Sequence, residues 1–362
     1  MDLLEQWGLG APETITDWDN LFKTAKENGI DVPFTCQSVA VDANSTEYHS
    51  FNTAFGVGKY FYLEGDKVVF GPAQPGYKEF VAQMTEWYSK GYIDVDYPTN
   101  TADAVQDNLI NGKSVASFGW IGSSFGKIVP AAEAKGIEGF KLVACPFPGG
   151  ANGEVAEFQQ VQVRAGSPYI AITSNCGNIE EAAKWCDFIY SEEGNEYHTF
   201  GEEGNTYTKT VDADGVAHYE YTDKIRKPET NKDFEFSISS VNEALYAYMR
   251  PANGPGINQH PDYLNGFYPY QEQLDALEIW NSNVDKAGAH ALPTLYYTDK
   301  ESERNSDLTA SLDAELNTMI NSIISGKLSV DSYDAEIKKL MDKGYNELCD
   351  IRQAAYDRYL KR

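Results

Sequence analysis

The sequence predicts an α/β fold with a helical C-terminal segment, and three observations carry this prediction. Between about residues 16 and 200, short apolar runs alternate with amphipathic helical patterns, which is typical of strands separated by helices. Beyond about residue 300, apolar residues recur at helical spacing. The chain has 362 residues, which is long enough to bury a large core in one large domain or two smaller ones.

The first predicted elements are a helix, a hairpin and a second helix. The spacing predicts a helix over residues 16–28, with Thr16 as its cap and Gly29 after its end. Residues 60–63 and 67–70 flank a turn at Gly65, which indicates a hairpin. The next helix carries an apolar face that includes Tyr77 and Trp87.

The middle of the chain predicts further alternation of helices and strands. Thr101 opens a helix that ends at residue 110, and residues 114–118 form a strand. A helix over 127–135 then precedes strands at 141–145 and 169–173. A helix over 179–190 and a helix capped by Ser191 follow, and a polar hairpin turns at 212–215. Near the C-terminus, one apolar stripe runs from Leu308 to Ile323, and shorter helices come after it.

Charge and composition exclude several classes of protein. The chain has 29 Lys and Arg against 55 Asp and Glu, a formal charge of -26, which argues against a nucleic-acid partner. Its apolar runs are far shorter than the ~20 residues that cross a bilayer, and Met1 is followed by Asp2 and Glu5. We therefore expect no signal peptide in this chain. Five widely spaced cysteines without a CxxC pair indicate neither a disulfide framework nor a zinc site, and we expect no cofactor.

One motif suggests catalysis. Residues 122–126 match GxSxG, with Ser124 in the position of a nucleophile between a predicted strand and a predicted helix. Trp120 and Ile121 separate that strand from the serine, and no HGGG-type oxyanion loop lies upstream. None of His198, His218, His260 and His290 has a distinctive sequence context. A serine hydrolase therefore stays an alternative interpretation.

Aromatic residues in glycine-rich and turn-rich segments favour binding over catalysis. Phe118 and Trp120 lie beside Gly119, and Tyr207 follows a Gly-Asn pair. A ring stacked on the apolar face of a sugar gains about 1 to 2 kcal/mol, while neighbouring amides and carboxylates bind the hydroxyls. By loop position alone, Tyr48, Tyr268 and Gln160 are further candidate ligand-binding residues.

Several segments in order resemble one known family, the extracellular solute-binding lipoproteins of carbohydrate ABC importers, of the large type found in Gram-positive gut bacteria. The resemblance lies in Trp7-Gly8-Leu9 with Pro12-Glu13-Thr14, in Asn111-Gly112-Lys113 running to Phe118-Gly119-Trp120, and in residues 172–176, 181–194 and 201–207. The acidic, helical ending also matches. These segments span nearly the whole chain.

The resemblance implies a type II periplasmic-binding-protein-like fold of two lobes that close on a ligand. In that family the segment resembling residues 12–18 lies well inside the protein, so we expect this chain to lack an N-terminal part. Residues 1–130 and 205–362 would then form the second lobe, and 131–204 the remaining part of an incomplete first lobe. We also expect residues 141–190 to expose apolar surface.

The resemblance further implies a function without catalysis. The protein would bind a sugar or oligosaccharide in a cleft between the lobes and deliver it to ABC permease subunits. It would act as an extracellular monomer, held at the membrane only through a lipid anchor that this chain lacks. The matching motifs place Trp120 and Phe118 at the ligand, with Tyr207 from the turn motif. A glycan-binding protein unconnected to transport is a second alternative.

Overall fold

The structure is a computed structural model, and it describes residues 2–37, 51–159, 165–166, 170–230, 233, 238, 241–249, 257–258, 260, 262–264, 268 and 270–361. Its helices are α1 (Asp2–Trp7), α2 (Ile15–Glu27), α3 (Pro75–Ser89), α4 (Ala102–Ile110), α5 (Gly126–Ala134), α6 (Ile179–Phe188), α7 (Glu192–Phe200), α8 (Asp223–Arg226), α9 (Val241–Tyr248), α10 (Gln271–Asn281), α11 (Val284–Gly288), α12 (Asp299–Ile324), α13 (Tyr333–Leu340) and α14 (Asn346–Tyr359). Its strands are β1 (Phe34–Thr35), β2 (Phe61–Glu64), β3 (Lys67–Phe70), β4 (Ala116–Ser117), β5 (Ala165–Gly166), β6 (Tyr207–Val211), β7 (Ala217–Tyr221) and β8 (Ile257–Asn258).

The chain forms two compact units. The first comprises Met1–Val161 with Asp275–Arg362, and the second comprises Gln162–Leu274. These boundaries differ from those of the predicted lobes, 1–130 with 205–362 against 131–204. The division into lobes stays a prediction.

The strands pair in twos. Strand β1 runs parallel to β4, with Phe34 opposite Ala116 and Thr35 opposite Ser117. The other pairs, β2 with β3, β5 with β8 and β6 with β7, are antiparallel. The hairpins predicted around Gly65 and around 212–215 are therefore confirmed.

The core of the first unit is built from aromatic rings on α2 and α3. Phe22 and Trp87 are fully buried, and their ring centroids lie 4.9 Å apart at 82°. Phe51 packs edge to face on the same Trp87 ring at 5.0 Å. Edge-to-face pairs stabilise a core beyond the area that they bury. The predicted helical face from Tyr77 to Trp87 is confirmed.

The start of α2 corrects the prediction that Thr16 is the cap. The N-cap is Thr14, whose Oγ1 accepts a hydrogen bond from the Asp17 backbone N at 3.2 Å. In return Thr14 N donates to Asp17 Oδ2 at 2.9 Å, which completes a capping box. The hydrogen bond from the Thr14 side chain is the main cause that holds the pKa of Asp17 below its usual value. Thr16 also has an acidic residue three positions later, but the carboxylate of Asp19 instead accepts a hydrogen bond from Trp87 Nε1 at 2.8 Å.

The helical C-terminal segment is confirmed. The apolar stripe of α12 is buried, and it includes Leu312, Leu316 and Ile320. Asp313 on the same helix accepts hydrogen bonds from two phenols at one oxygen, from Tyr60 at 2.6 Å and from Tyr345 at 2.7 Å. These bonds join α12 to the segment before β2 and to the turn before α14.

Two predicted strands do not form. Residues 141–145 and 170–173 lie in no sheet, and Tyr169 falls outside the described residues. The backbone carbonyl of Cys145 instead accepts a hydrogen bond from Trp280 Nε1 at 2.7 Å. This carbonyl is therefore satisfied by a side chain from α10 rather than by a neighbouring strand. The predicted strand over 114–118 is shorter, as β4 alone.

Candidate ligand-binding site

The parallel pair of β1 and β4 brings two segments to one edge. Beyond Thr35, the chain continues through Cys36 to Gln37, and beyond Ser117 it continues through Phe118. In α/β proteins, ligands bind outside the carboxyl ends of parallel strands. We define the candidate site as this edge, with the turn that follows it at Trp120.

A buried carboxylate fixes the carboxyl end of β1. Asp94 is 7% exposed, and its Oδ2 accepts hydrogen bonds from Thr35 Oγ1 at 3.1 Å and from Asn100 Nδ2 at 2.8 Å. Asn108 on α4 donates to the same oxygen at 3.4 Å, and Asn100 Nδ2 also donates to Cys36 O at 3.1 Å. This network ties β1 to α4 and orients the backbone at one side of the site.

Phe118 is partly used by the core. Its ring is half-buried, packs edge to face on Phe34 at 5.0 Å, and contacts Phe51 in a tilted arrangement at 5.4 Å. Both neighbours are buried at 2% exposure or less. Phe118 therefore joins the edge of β1 and β4 to the core of the first unit.

Trp120 precedes a π-helical turn over Ile121–Phe125 that leads into α5. Its indole is half-buried, and its backbone N donates a hydrogen bond to Ser124 Oγ at 2.9 Å. A Cβ added at Gly119 would lie 2.9 Å from Ser124 Cβ, closer than real contacts allow. The glycine thus permits the turn to fold back on Ser124 and fixes the backbone that carries Trp120.

The element after Trp120 is anchored by a second tryptophan. Phe125 is buried and contacts the Trp280 ring at 5.9 Å and 70°. Trp280 is held through Cys145 O, and its own carbonyl accepts from Gln159 Nε2 at 2.9 Å. This packing fixes the turn that follows Trp120. Ligand binding therefore costs little conformational entropy at this position.

Ser124 does not form a catalytic pair in the described part of the chain. Its Oγ accepts from the backbone of Trp120, and no histidine among the described residues hydrogen bonds to it. A serine nucleophile needs a base within about 2.6–3.2 Å. The arrangement gives Ser124 the role of a turn-stabilising residue.

Tyr207 lies in the core of the second unit. It is 4% exposed, and its hydroxyl donates to Glu196 Oε1 at 2.5 Å. Glu196 Oε2 also accepts from Lys209 Nζ at 2.7 Å and from Tyr219 at 3.0 Å. Burial would raise the pKa of Glu196, but the hydrogen bonds from these three side chains outweigh it and hold the pKa below its usual value.

The remaining candidate residues lie apart from the edge or beyond the described chain. Tyr268 is a half-buried residue of the second unit, and burial raises the pKa of its phenol. Tyr48 and Gln160 lie outside the described residues. Phe118 and Trp120 are thus the pair that the structure brings together in the first unit, and the ligand-binding role of all six candidates stays a prediction.

Sequence reasoning missed the polar part of this edge. Asp94, Thr35 and Asn108 come from three separate segments, and no motif links them in the sequence. Among the residues that the structure describes, no group of three or more His, Cys, Asp or Glu side chains could hold a metal ion. None of the described helices has both the length and the apolar character needed to cross a membrane.

Solved structures with the same fold are solute-binding proteins. An HMO-binding, ABC-transporter-associated solute-binding protein of Bifidobacterium longum infantis superimposes with a TM-score of 0.71 at 19% identity, over 98% of this chain and 72% of its own. The alginate-binding protein AlgQ2 gives 0.61 at 21% identity, over 98% and 70%. The Streptococcus pneumoniae ABC-transporter substrate-binding protein FusA, in complex with kestose, gives 0.60 at 19% identity, over 99% and 70%.

These superpositions confirm the predicted fold class, a type II periplasmic-binding-protein-like α/β fold. The family model of the bacterial extracellular solute-binding proteins matches residues 1–196, and the chain belongs to that family. No curated protein matches the chain.

Proposed function

We propose that this protein is the substrate-binding component of an ABC importer, and that it binds an oligosaccharide at the carboxyl edge of β1 and β4. The observation that carries the proposal is Trp120, a half-buried indole held at that edge by the close approach of Gly119 to Ser124. Membership of the solute-binding family supports it. So do the ligands of proteins with the same fold, which are HMO, alginate and kestose.

Recognition at this edge would combine stacking with hydrogen bonding. One face of the Trp120 indole stacks on the apolar face of a pyranose or furanose ring, worth about 1 to 2 kcal/mol. The side chains of Gln37 and Ser117 lie on the adjoining strand ends and exchange hydrogen bonds with sugar hydroxyls. Phe118 supports the site from the core side. Binding favours a closed form if the ligand contacts both lobes.

The cellular role follows from the same proposal. The protein is a monomer that binds its ligand outside the cell and does not convert it chemically. It then delivers the ligand to the permease subunits. Its charge of -26 disfavours direct contact with anionic lipid, so attachment to the membrane would depend on a lipid anchor.

Calorimetric titration of the Trp120→Ala variant tests the proposal. The ligands are kestose, maltotriose and an alginate oligosaccharide, each added to the unmodified chain and to the variant. In Trp120→Ala, the binding free energy should weaken by the 1 to 2 kcal/mol of the lost stacking. The Kd of whichever sugar binds should therefore rise about 5- to 30-fold in this variant. The matched control is Trp185→Ala, which removes an indole that is 55% exposed on α6 in the second unit. Equal affinities in all three proteins would refute the assignment of Trp120.

A further inference from the structure

The carboxyl ends of three parallel segments meet at the candidate site. Besides β4, β1 has a second parallel neighbour, in which Ile93 bridges Phe34 and the backbone N of Asp94 donates to Phe34 O at 3.0 Å. Asp94 therefore lies level with Thr35, which is paired with Ser117 on the other side. The buried carboxylate of Asp94 thus belongs to the same edge as the proposed ligand.

We propose, on the basis of the proposed function, that this edge selects neutral oligosaccharides and rejects sugars that carry carboxylates. The chain beyond the three strand ends, residues 36–58, 95–112 and 118–126, contains no Lys or Arg. Its acidic residues are Asp42, Glu47, Asp96, Asp103 and Asp107. An anionic sugar at the edge would meet like charge without a basic partner from these segments, and like charges oppose binding.

The basic residues that flank these segments lie away from the edge. Lys113 O accepts a hydrogen bond from Val32 N at 3.2 Å, so Lys113 lies at the amino end of β1, opposite the site. Lys59 lies in the segment before β2, which is bonded to α12. Lys127 is exposed in the first turn of α5, about 10 Å along the helix from the start of the π-helical turn. An exposed charge at that distance is largely screened at physiological salt.

The start of the π-helical turn after Trp120 brings a weaker, opposite charge to the edge. A helix start is equivalent to roughly half an elementary charge, whereas the carboxylates of Asp94 and Asp96 carry a full charge each. The carboxylates therefore outweigh the helix start. The backbone N–H groups of this turn still suit hydroxyl oxygens, which are neutral acceptors.

Asp94 repels an anion without serving as a partner for a cation. Its Oδ2 accepts hydrogen bonds from Thr35, Asn100 and Asn108. Its Oδ1 accepts from the backbone N of Asp96 at 3.0 Å. All of these donors are uncharged, so they leave the negative charge of the carboxylate in place. Because both oxygens are occupied and the side chain is buried, a ligand ammonium gains no direct contact with it. Neutral sugars are the class that this charge distribution favours.

Matched pairs of neutral and acidic sugars test the proposal by calorimetry. β-1,4-Mannotriose is compared with β-1,4-trimannuronate, and cellotriose with β-1,4-triglucuronate, because the sugars within each pair differ only in oxidation at C6. Kestose and maltotriose extend the neutral set. The uronates are expected to bind at least about tenfold more weakly than the neutral sugar that binds best. A smaller gap would overturn the selectivity and leave the proposed function intact, whereas binding of none of these sugars would overturn both.

Charge reversal locates the source of the selectivity. Asp96→Lys exchanges an exposed carboxylate at the edge for an ammonium group and keeps the backbone bond to Asp94. The matched control, Asp31→Lys, makes the same change at the amino end of β1, where Asp31 is exposed next to Val32. The ratio of the uronate Kd to the neutral Kd is expected to fall about threefold or more in Asp96→Lys and to stay within about twofold in Asp31→Lys. Equal ratios in the two variants would overturn the assignment of the selectivity to this edge.

Added salt gives an independent readout. Raising KCl from about 0.1 M to about 1 M shortens the Debye length from about 10 Å to about 3 Å, which weakens the repulsion between charges. The Kd of each uronate is expected to fall over this range, while the Kd of each neutral sugar stays within about twofold. A uronate Kd that rises with salt would identify an attractive basic site and would overturn the proposal.

Discussion

Removal of the Asp94 carboxylate is expected to destabilise the first unit by about 2 to 4 kcal/mol. In Asp94→Ala, Asn100 keeps its bond to Cys36 O, and Asn108 keeps its bond to Thr35 Oγ1 at 3.2 Å. The Thr35 hydroxyl and the Asp96 backbone N lose their acceptors. The Thr35 hydroxyl is a buried donor, and leaving it unsatisfied costs about 1 to 3 kcal/mol. Asp96 is exposed, so the loss of the hydrogen bond from its backbone N adds only about 1 kcal/mol, and the two contributions together give the total.

Urea denaturation followed by tryptophan fluorescence measures this loss. Asp96→Ala is the matched control, because its side chain is exposed two positions away from Asp94 and its removal is expected to change stability by less than about 0.5 kcal/mol. Thr35→Val removes the hydroxyl that donates to Asp94, together with that hydrogen bond. It should lower the free energy of unfolding by about 1 kcal/mol. The reasoning that this network holds β1 would be refuted if Asp94→Ala lowers the free energy of unfolding by less than about 1 kcal/mol, with an unchanged dependence of that free energy on urea concentration.

Three further predictions follow from single contacts. Gly119→Ala places a methyl group 2.9 Å from Ser124 Cβ, so the turn must shift, and sugar affinity measured by calorimetry should fall with little change in Tm. An unaltered Kd would contradict this. Thr14→Ala removes the α2 capping box and should cost about 1 kcal/mol in urea denaturation, where Thr16→Ala should cost less. Glu196 has a lowered folded pKa, so its contribution to stability is present above its unfolded pKa of about 4.3 and is lost as the pH falls through the folded value. Glu196→Gln should therefore reduce the difference in urea midpoint between pH 7 and pH 3, and an unchanged difference would disprove the assignment.

Local signals in the sequence predict the capped helices and hairpins well. Thr101 caps α4 and Ser191 caps α7, as their side-chain chemistry predicts. The hairpins form where a glycine turn separates two short runs, since Gly65 has a φ of 60°. Such elements depend on contacts within a few residues, and periodicity and turn chemistry are sufficient to locate them.

Elements that depend on distant contacts are not predicted. The strand predicted over 114–118 contains β4, but its pairing with β1 joins two-residue strands about eighty positions apart, and no local signal predicts that partner. Residues 141–145 have the composition of a strand, but the bond from Trp280 competes for the Cys145 carbonyl. Tertiary context decides these cases.

The candidate site shows the same limit. The sequence singles out Trp120 because a large ring beside glycines is unusual at a strand end. It cannot show that Tyr207, which has a similar context, has its ring enclosed by Phe200 and Tyr219. Nor can it select Asp94 from 55 acidic residues, because only the fold makes that carboxylate a buried acceptor.

The most direct test of the account follows the indole N–H signals in a heteronuclear NMR titration. The chain has six tryptophans, and the spectrum of Trp120→Phe assigns the signal of Trp120. Saturating amounts of the oligosaccharide that binds should shift this signal, while the signal of Trp87, which is fully buried, stays in place. A sugar that binds and leaves the Trp120 signal unmoved would contradict the placement of the ligand at the carboxyl edge of β1 and β4.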